Sequence, residues 1–442
     1  MDIIKTQAVV LGGGSGGFGA AWSLGKNGIK TILIEKNTGM GGTSVYAGVN
    51  CYEPGVCGGK LHLILKDRLS KIPNASSVCM SIRNSILISE EDPVNDLKKY
   101  PWGLSVTDKN ARYEDTLRRC LSLTKNVEVP WRRFQFEPDA MNRTMQELLR
   151  ENNVTMLFNT SFIDCKTEND RIAGVWVQSA EKLYYIMADY FVDATGDILL
   201  ARKSGCDVTI GSDDKSDYNE SSANIKDKTD INGVTYVFRV RKSKDKFHKD
   251  NLPEREKVAV EDTISCFNCY PNGDININML PTFKGSDWLK YGADANEMAR
   301  NKVFTYWNWL QREKGLMGYE FVHMFPMPGI RESYRLRGRY VLTEQDVRSG
   351  IEKQNLSDEI IAIADHAMDS HGSGDGCKEL EVPYGIPFSC TRPKEYDNMF
   401  VACRGASFSH IAASSARLSR TMLSMGEALG EKISEMIKPV IS

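Results

Sequence analysis

Gly12-Gly13-Gly14-Ser15-Gly16-Gly17 is the stretch on which the fold turns. It satisfies G-x-G-x-x-G, and each glycine in that spacing has a mechanical reason. Gly12 permits a tight turn, Gly14 lets the backbone approach a pyrophosphate, and Gly17 lets a helix pack closely on a strand. Glycine-rich turns are common, so the flanks carry the weight. Thr6 to Leu11 is a short apolar run that suits a buried parallel strand. Ala20, Ala21, Trp22 and Leu24 open a helix ending near Gly28, and Lys30 to Glu35 (KTILIE) reads as a second buried strand. The turn, with Ser15 and Gly16 in it, sits at a helix N-terminus whose free N–H groups and dipole attract phosphate. Glu35 stands where a carboxylate accepts ribose hydroxyls. The expectation is a βαβ unit that binds a dinucleotide.

Outward from that unit, Asp139 is placed to cap a helix running to about Arg150, with Met141, Met145, Leu148 and Leu149 on one face. Strand-like runs follow at 155–158, 161–166, 172–178, 183–187 and 190–194. Ser212 to Asp230 is polar and reads as a solvated loop. Lys242 to Lys257 is dense in both charges and reads as solvated surface. Gly233 to Arg241 alternates like a half-buried strand. Ala293 to Arg312 has a helical period, with Trp307 and Trp309 read as core. The C-terminal quarter gives a strand at Met399 to Cys403 and one long helix from about Ala412 to Ile437.

A chain of 442 residues suits two domains, one of them discontinuous. Its 41% hydrophobic and 26% charged residues are ordinary for a globular protein, and a net charge of −2 gives no global pull toward nucleic acid or a membrane surface. No apolar run approaches the roughly 18 residues of a membrane span. Met1 to Lys5 lacks the pattern of a secretory signal. The 11 cysteines, an odd number without regular spacing, favour reduced thiols and a cytoplasmic setting over a disulfide framework.

The residues after Glu35 choose between dinucleotides. Lys36 to Ser44 (KNTGMGGTS), with Gly41, Gly42 and Thr43, resembles the second Gly-Gly element of FAD proteins of the glutathione reductase and succinate dehydrogenase type. Val192 to Asp197, containing Ala194, Thr195, Gly196 and Asp197, looks like the A-T-G-D strand-turn that closes over FAD in that superfamily. Met399 to Arg404 resembles the strand leading toward the flavin, although relatives show A-G-R where this chain has Ala402-Cys403-Arg404. More narrowly, Gly329 to Arg335 with Tyr340 to Thr343, Val382 to Phe388, and Ala402 to Arg404 leading through Ser407, His410, Ser415 and Arg417 to Gly426-Glu427-Ala428 resemble the bacterial FAD-dependent oxidoreductase family.

That resemblance implies an α/β fold: a discontinuous Rossmann-like FAD-binding domain (1–60, 138–210, 380–442) with an inserted α+β substrate or cap domain (61–137, 211–379). It adds Phe162, Ser415 and Ala416 to the cofactor-contact candidates. Thr43 and Ser44 stand where relatives with covalent FAD carry histidine, so non-covalent FAD is expected. No second strand-preceded G-x-G-x-x-G appears, so no separate NAD(P)H domain is expected.

A flavin exchanges hydride at N5, and the protein supplies orientation, proton donors or acceptors, and charge. Arg331, Arg335 and Arg417 are candidates to hold a substrate carboxylate or the reduced flavin's charge. His371 and His410 are candidates to move the accompanying proton. The plainer alternatives are structural ion pairs for Arg331 and Arg335, a loop cap for His371, and cofactor contact for His410. Cys51 and Cys57 follow the Gly-Gly element but sit later and wider than the redox pair of disulfide reductases, so they read as ordinary thiols. The lone C-x-x-C of Cys266 and Cys269 is too little for zinc or an iron–sulfur cluster, and no metal is expected. The expectation is an enzyme passing hydride between FAD and a small organic substrate, such as a carboxylate or a C=C compound. Its electron donor or acceptor is left open. Two rivals are a flavoprotein with structural or non-redox FAD, and an inactive binding protein with the same fold.

Overall fold

A computed structural model describes residues 2–52, 59–78, 81–83, 134–223, 230–256, 258–371, 377–378 and 380–438. Its centre is a five-stranded parallel sheet. The strands are β1 (Ala8–Leu11), β2 (Thr31–Ile34), β3 (Thr155–Leu157), β4 (Tyr190–Asp193) and β5 (Met399–Val401), in the order β5-β4-β1-β2-β3. Every residue of β1 and β2 is buried, because both faces of the sheet are covered.

The alternation along β1 names the two covers. Ala8 and Val10 face the helices α1 (Ser15–Lys26), α2 (Pro138–Glu151) and, from the far end of the chain, α5 (Ser419–Ile437). Val9 and Leu11 face the side covered by Ile172, Val175, Val177 and Ile186. Those four lie in an outer sheet built from 161–168, 171–178, 183–187 and 2–5. Glycine makes the α1–α5 contact possible: a side-chain carbon at Gly426 would overlap the carbonyl oxygen of Gly16, and one at Gly19 that of Leu423. The C-terminal helix is thereby brought against the helix of the first βαβ unit.

A second, antiparallel sheet has the order 319–324, 237–242, 275–279, 265–269, 81–83. One face packs on α3 (Ala295–Glu313) through Phe238, Ile277, Val303, Tyr306 and Trp307. Trp307 is thus core, its indole N–H donating to Asp250 at 2.8 Å. The other face turns polar groups toward the parallel-sheet body. Arg239 makes a forked pair with Glu137 (2.9 and 3.0 Å), and the Asn276 amide donates to the Gly48 carbonyl (2.9 Å) and to Asn50 (3.0 Å).

Several expectations are corrected here. α1 begins at Ser15, inside the glycine stretch and directly after Gly14, not at Ala20. α2 begins at Pro138 with Glu137 in the cap position, so Asp139 lies inside the helix and does not cap it. The long C-terminal helix is two helices, α4 (His410–Ala416) and α5, because Leu418 is extended (φ −63°, ψ 144°). Within the expected loop Ser212 to Asp230, the described residues 212–223 are not simply solvated: Asp213 and Glu220 are buried, with partners from distant segments, while 224–229 lie outside the described residues. Of the segment expected in the cap, Leu61, Leu65, Leu69, Phe134 and Phe136 pack with α1 and α5 in the parallel-sheet body, while Ser81–Arg83 joins the antiparallel sheet. Leu342, Val347, Ala362 and Met368 likewise join the core of that body. Cys57 lies outside the described residues.

Candidate functional site

β1 is flanked by β2 on one side and β4 on the other, so the chain leaves its C-terminal end at the topological switch point where open α/β sheets bind ligands. The glycine turn fills that position. Gly12 has φ +99°, a conformation L residues avoid, and a side-chain carbon there would overlap the Ala194 carbonyl. A side-chain carbon at Gly17 would overlap the Gly12 carbonyl and one at Gly16 that of Ala402. Gly14 is different: a Cβ there would meet nothing within 4 Å. No protein atom requires glycine at that position. The free space lies directly before α1, whose N-cap, Gly14 itself, offers no side-chain hydrogen bond. An anion close to the backbone is what such a space fits.

The second glycine turn folds onto the first. Gly41 N–H donates to the Gly13 carbonyl at 2.8 Å, and a Cβ on Gly42 would come 3.0 Å from Gly14 Cα. Glu35, 5% exposed, directly follows β2, its carboxylate accepting from Gly13 N–H (2.6 Å), Asn37 N–H (2.8 Å) and the Asn37 amide (2.7 Å). Sequence reading missed Asn37, which fixes that carboxylate. Lys36 is exposed, Thr43 opens the short helical turn Thr43–Tyr46, and Phe162 packs half-buried against the core from the outer sheet.

After β4, the buried Asp193 carboxylate accepts from Thr195 N–H (3.1 Å), the Thr195 hydroxyl (2.8 Å) and Ala201 N–H (3.0 Å). The A-T-G-D turn is therefore held from below. Gly196 has φ +83° and lies against the Arg404 guanidinium, which pairs with Asp197 at 2.7 Å. Ser415 donates to the His366 carbonyl and shares a 2.8 Å hydrogen bond with the Tyr384 hydroxyl, while Ala416 ends α4 in full burial.

The five residues read as chemical candidates fall into two groups. Arg331, His371 and Arg417 come together. Arg331 donates to the Gly233 carbonyl (2.7 Å) and the Thr235 hydroxyl (2.6 Å), and Gly233 N–H donates to the His371 carbonyl (2.6 Å). The His371 ring pairs with Asp369 at 2.6 Å, and Arg417 donates to the Asp369 carbonyl at 3.4 Å. Gly329, two residues before Arg331, lies near Val49 in the segment following the second glycine turn. Burial, then the neighbouring Arg417 charge, pushes Arg331 down to about 9. Burial and Arg331 push His371 down to about 4 against the pull of Asp369. Asp369 is held well below the carboxylate range, because its hydrogen bond and charge pairing with His371 overcome burial. Asp369 and Thr235 were not singled out from sequence. The Asp369-Ser370-His371 spacing was the available signal for the former.

Arg335 and His410 lie in a different network. Arg335 is fully buried and pairs with Glu332 and with Asp213 (3.1 Å), and donates to the carbonyls of Gly211 (2.8 Å) and Phe408 (3.0 Å). His410 Nδ1 bonds Glu332 at 2.9 Å, and His410 N–H donates to Asp213 at 2.6 Å. Burial alone would lower the His410 pKa; Glu332 outweighs it and raises it. These contacts tie the 211–220 segment, the 332–336 segment and the start of α4 together. They are the ion-pair alternative weighed for Arg335. Among the described residues no three metal-binding side chains converge, and no helix is long and apolar enough to cross a membrane.

A family model described as FAD dependent oxidoreductase matches residues 7–438. A search of curated protein sequences returns no match. Among solved structures, the flavin-dependent brominase Bmp2 is similar over 98% of this chain and 80% of its own, with TM-score 0.51 and 11% identity. A ternary complex of aklavinone-11 hydroxylase with FAD and aklavinone is similar over 99% of this chain and 64% of its own, with TM-score 0.51 and 12% identity. At such identities the likeness is one of fold.

Proposed function

The chain belongs to the FAD-dependent oxidoreductase family, and from that premise we propose that it passes a hydride between FAD and a small organic substrate held by Arg331, His371 and Arg417. One observation carries this reading: residues from three separate stretches, at 331, 371 and 417, gather around Asp369 and Gly233, while Gly329, two residues before Arg331, lies against Val49 beyond the second glycine turn. The cofactor, bound without a covalent link, would rest its diphosphate on the Gly12–Gly17 turn and its ribose near Glu35. When bound it supplies the hydride acceptor or donor.

The chain's own groups would do the rest. Arg331, anchored on Gly233 and Thr235, and Arg417 present two cations in a buried place, which favours an anionic group such as a carboxylate. The ionised Asp369 can only accept, so the His371 nitrogen facing it carries the hydrogen and the other nitrogen is left as a base. That nitrogen would take the proton released from a substrate O–H or N–H as hydride departs, or return it in the reverse direction. The body containing the parallel sheet would then hold FAD, and the antiparallel-sheet unit over 231–330 would cover it and supply Thr235.

Anaerobic mixing of the yellow protein with a panel of small organic acids, alcohols, NADH and NADPH tests this. Bleaching of the flavin by one panel member supports it, as does slower bleaching in Arg331→Lys and His371→Gln. A flavin that no panel member reduces, but that stabilises the fold, would favour structural FAD. A flavin reduced equally fast in the variants would remove the site assignment.

A further inference from the structure

Between Arg241 and Lys249 the chain carries five cations (Arg241, Lys242, Lys244, Lys246, Lys249) and one acid, Asp245. Asp245 opens a tight turn, for which aspartate is a favoured first residue. Its carbonyl accepts from His248 N–H (3.1 Å) and its carboxylate from Phe247 N–H (2.9 Å). Lys246 and Phe247 therefore occupy the tip, and Phe247 is 82% exposed.

The tip is tied to the body of the antiparallel-sheet unit. Ser243 N–H donates to the Gly318 carbonyl (2.7 Å) and Gly318 N–H to the His248 carbonyl (2.9 Å), which joins this turn to the one following α3. A side-chain carbon at Gly318 would come 2.7 Å from the Lys246 carbonyl oxygen, so glycine permits the approach. The His248 ring bonds one Asp250 oxygen (3.0 Å), while the other accepts from the Trp307 indole and from Phe321 N–H (both 2.8 Å). Phe247 is thus held out in water by a turn fixed to the core.

A single exposed apolar side chain is ordinary on a protein surface. This one has company. Met317, 46% exposed, directly precedes Gly318 and flanks the same junction. Lys242, Lys244, Lys246 and Lys249 around the turn are exposed, as is Lys314, three residues before Met317. Neighbouring acids are engaged elsewhere: Glu320 lies opposite Arg241 in the sheet, Glu313 beside Arg312, and Asp250 against His248. Asp245, shaping the turn, is the exception. The chain's net charge of −2 does not cancel this patch, because exposed charges more than a Debye length of about 8–10 Å away are screened.

Lysines around a protruding ring offer no recess and no planar fork for reading one defined anionic group, as arginine does. They match a surface that is anionic throughout and apolar just beneath. Ammonium groups reach headgroup phosphates and carboxylates while the ring and thioether enter the acyl boundary, and reversible anchoring draws on both. We propose that the Phe247 turn, with Met317 and the surrounding lysines, docks this protein on the face of an anionic lipid bilayer without crossing it. The strand 237–242 separates this patch from Thr235 and Arg331 by roughly 20 Å, so docking is independent of the flavin reading.

The test sediments the full-length, FAD-loaded protein with vesicles of phosphatidylcholine alone or mixed equally with phosphatidylserine. Wild type should pellet with the anionic vesicles only, and less as salt rises. The double variant Lys244→Glu/Lys246→Glu should lower the partition coefficient about 30-fold or more, and Phe247→Ser about 10-fold. Both variants should keep the FAD content and thermal midpoint of wild type, since the altered side chains are exposed. Wild type that stays in solution with anionic vesicles, that pellets equally with both lipids, or that binds no better than the variants overturns the proposal. So does a wild-type dimer that Phe247→Ser splits, since the ring is then covered by a second copy.

Discussion

Gly14→Val should separate folding from cofactor binding. Gly14 has φ −72° and ψ −176°, an extended conformation any residue adopts, and a side-chain carbon there meets nothing within 4 Å. The folded protein without cofactor therefore loses no contact and suffers no overlap, and its stability should change by no more than about 0.5 kcal/mol. The cost appears only with FAD. An isopropyl group in the one open face of the turn would keep the diphosphate from the N–H groups at the start of α1, where each charge-assisted hydrogen bond contributes about 1.5–3 kcal/mol. Loss of one sets a floor near 1.5 kcal/mol, about 10-fold in dissociation constant, and loss of two a floor near 3 kcal/mol, about 100-fold. Gly17→Ala is the contrast, because its methyl would meet the Gly12 carbonyl, a backbone atom that cannot swing away. Urea melts of the deflavinated proteins and fluorescence titration with FAD measure both halves. Wild-type FAD affinity in Gly14→Val, or a collapse of its cofactor-free stability, would refute the reasoning.

Arg335→Met leaves Glu332 and Asp213 buried beside one another without their shared cation. It should cost about 3–5 kcal/mol in a urea melt, and His410→Gln less. His410 has a raised pKa, so its pairing with Glu332 adds stability that is full below the unfolded value near 6.5 and is lost as pH rises through the folded value. The difference in stability between wild type and His410→Gln should shrink from pH 6 to pH 9, and a difference that grows would contradict the pairing. His371 is pushed down to about 4, so as a base it is available through the neutral range, and stopped-flow flavin reduction should fall only as pH drops toward that value. Asp369→Asn should slow that reduction about 100-fold or more by freeing the ring to adopt the wrong tautomer. Gly426→Ala drives a methyl into the Gly16 carbonyl and should lower stability by about 1–3 kcal/mol, read by thermal melting.

Short-range pattern made the parallel sheet and its glycine turn legible. The apolar runs at β1, β2 and β4, the glycine spacing and Glu35 each report on their neighbours within a turn or a strand, and all lie at the switch point of one sheet. The chemical candidates were only half legible. Arg331 and Arg335 carried the same two readings, site cation or structural ion pair, but the chain between them is not helical. Arg331 therefore reaches Gly233 and Thr235 while Arg335 turns inward to Glu332 and Asp213. Nothing local marks Asp213 and Glu220 as buried; their partners arrive from His410, Ser409 and Glu344, far along the chain. The break between α4 and α5 is equally silent in sequence, since arginine and leucine are both good helix formers. Leu61, Leu65 and Phe134 carry no label of the body they join, because apolar side chains look alike in any core.

The most direct test is an X-ray structure of the yellow protein. The account predicts the FAD diphosphate within hydrogen-bond distance of the Gly14–Ser15 backbone, a ribose on Glu35, and the isoalloxazine ring beside Val49 with Arg331, His371 and Arg417 over its reactive face. A nucleotide bound elsewhere, or a flavin ring turned away from Arg331, His371 and Arg417, would contradict it.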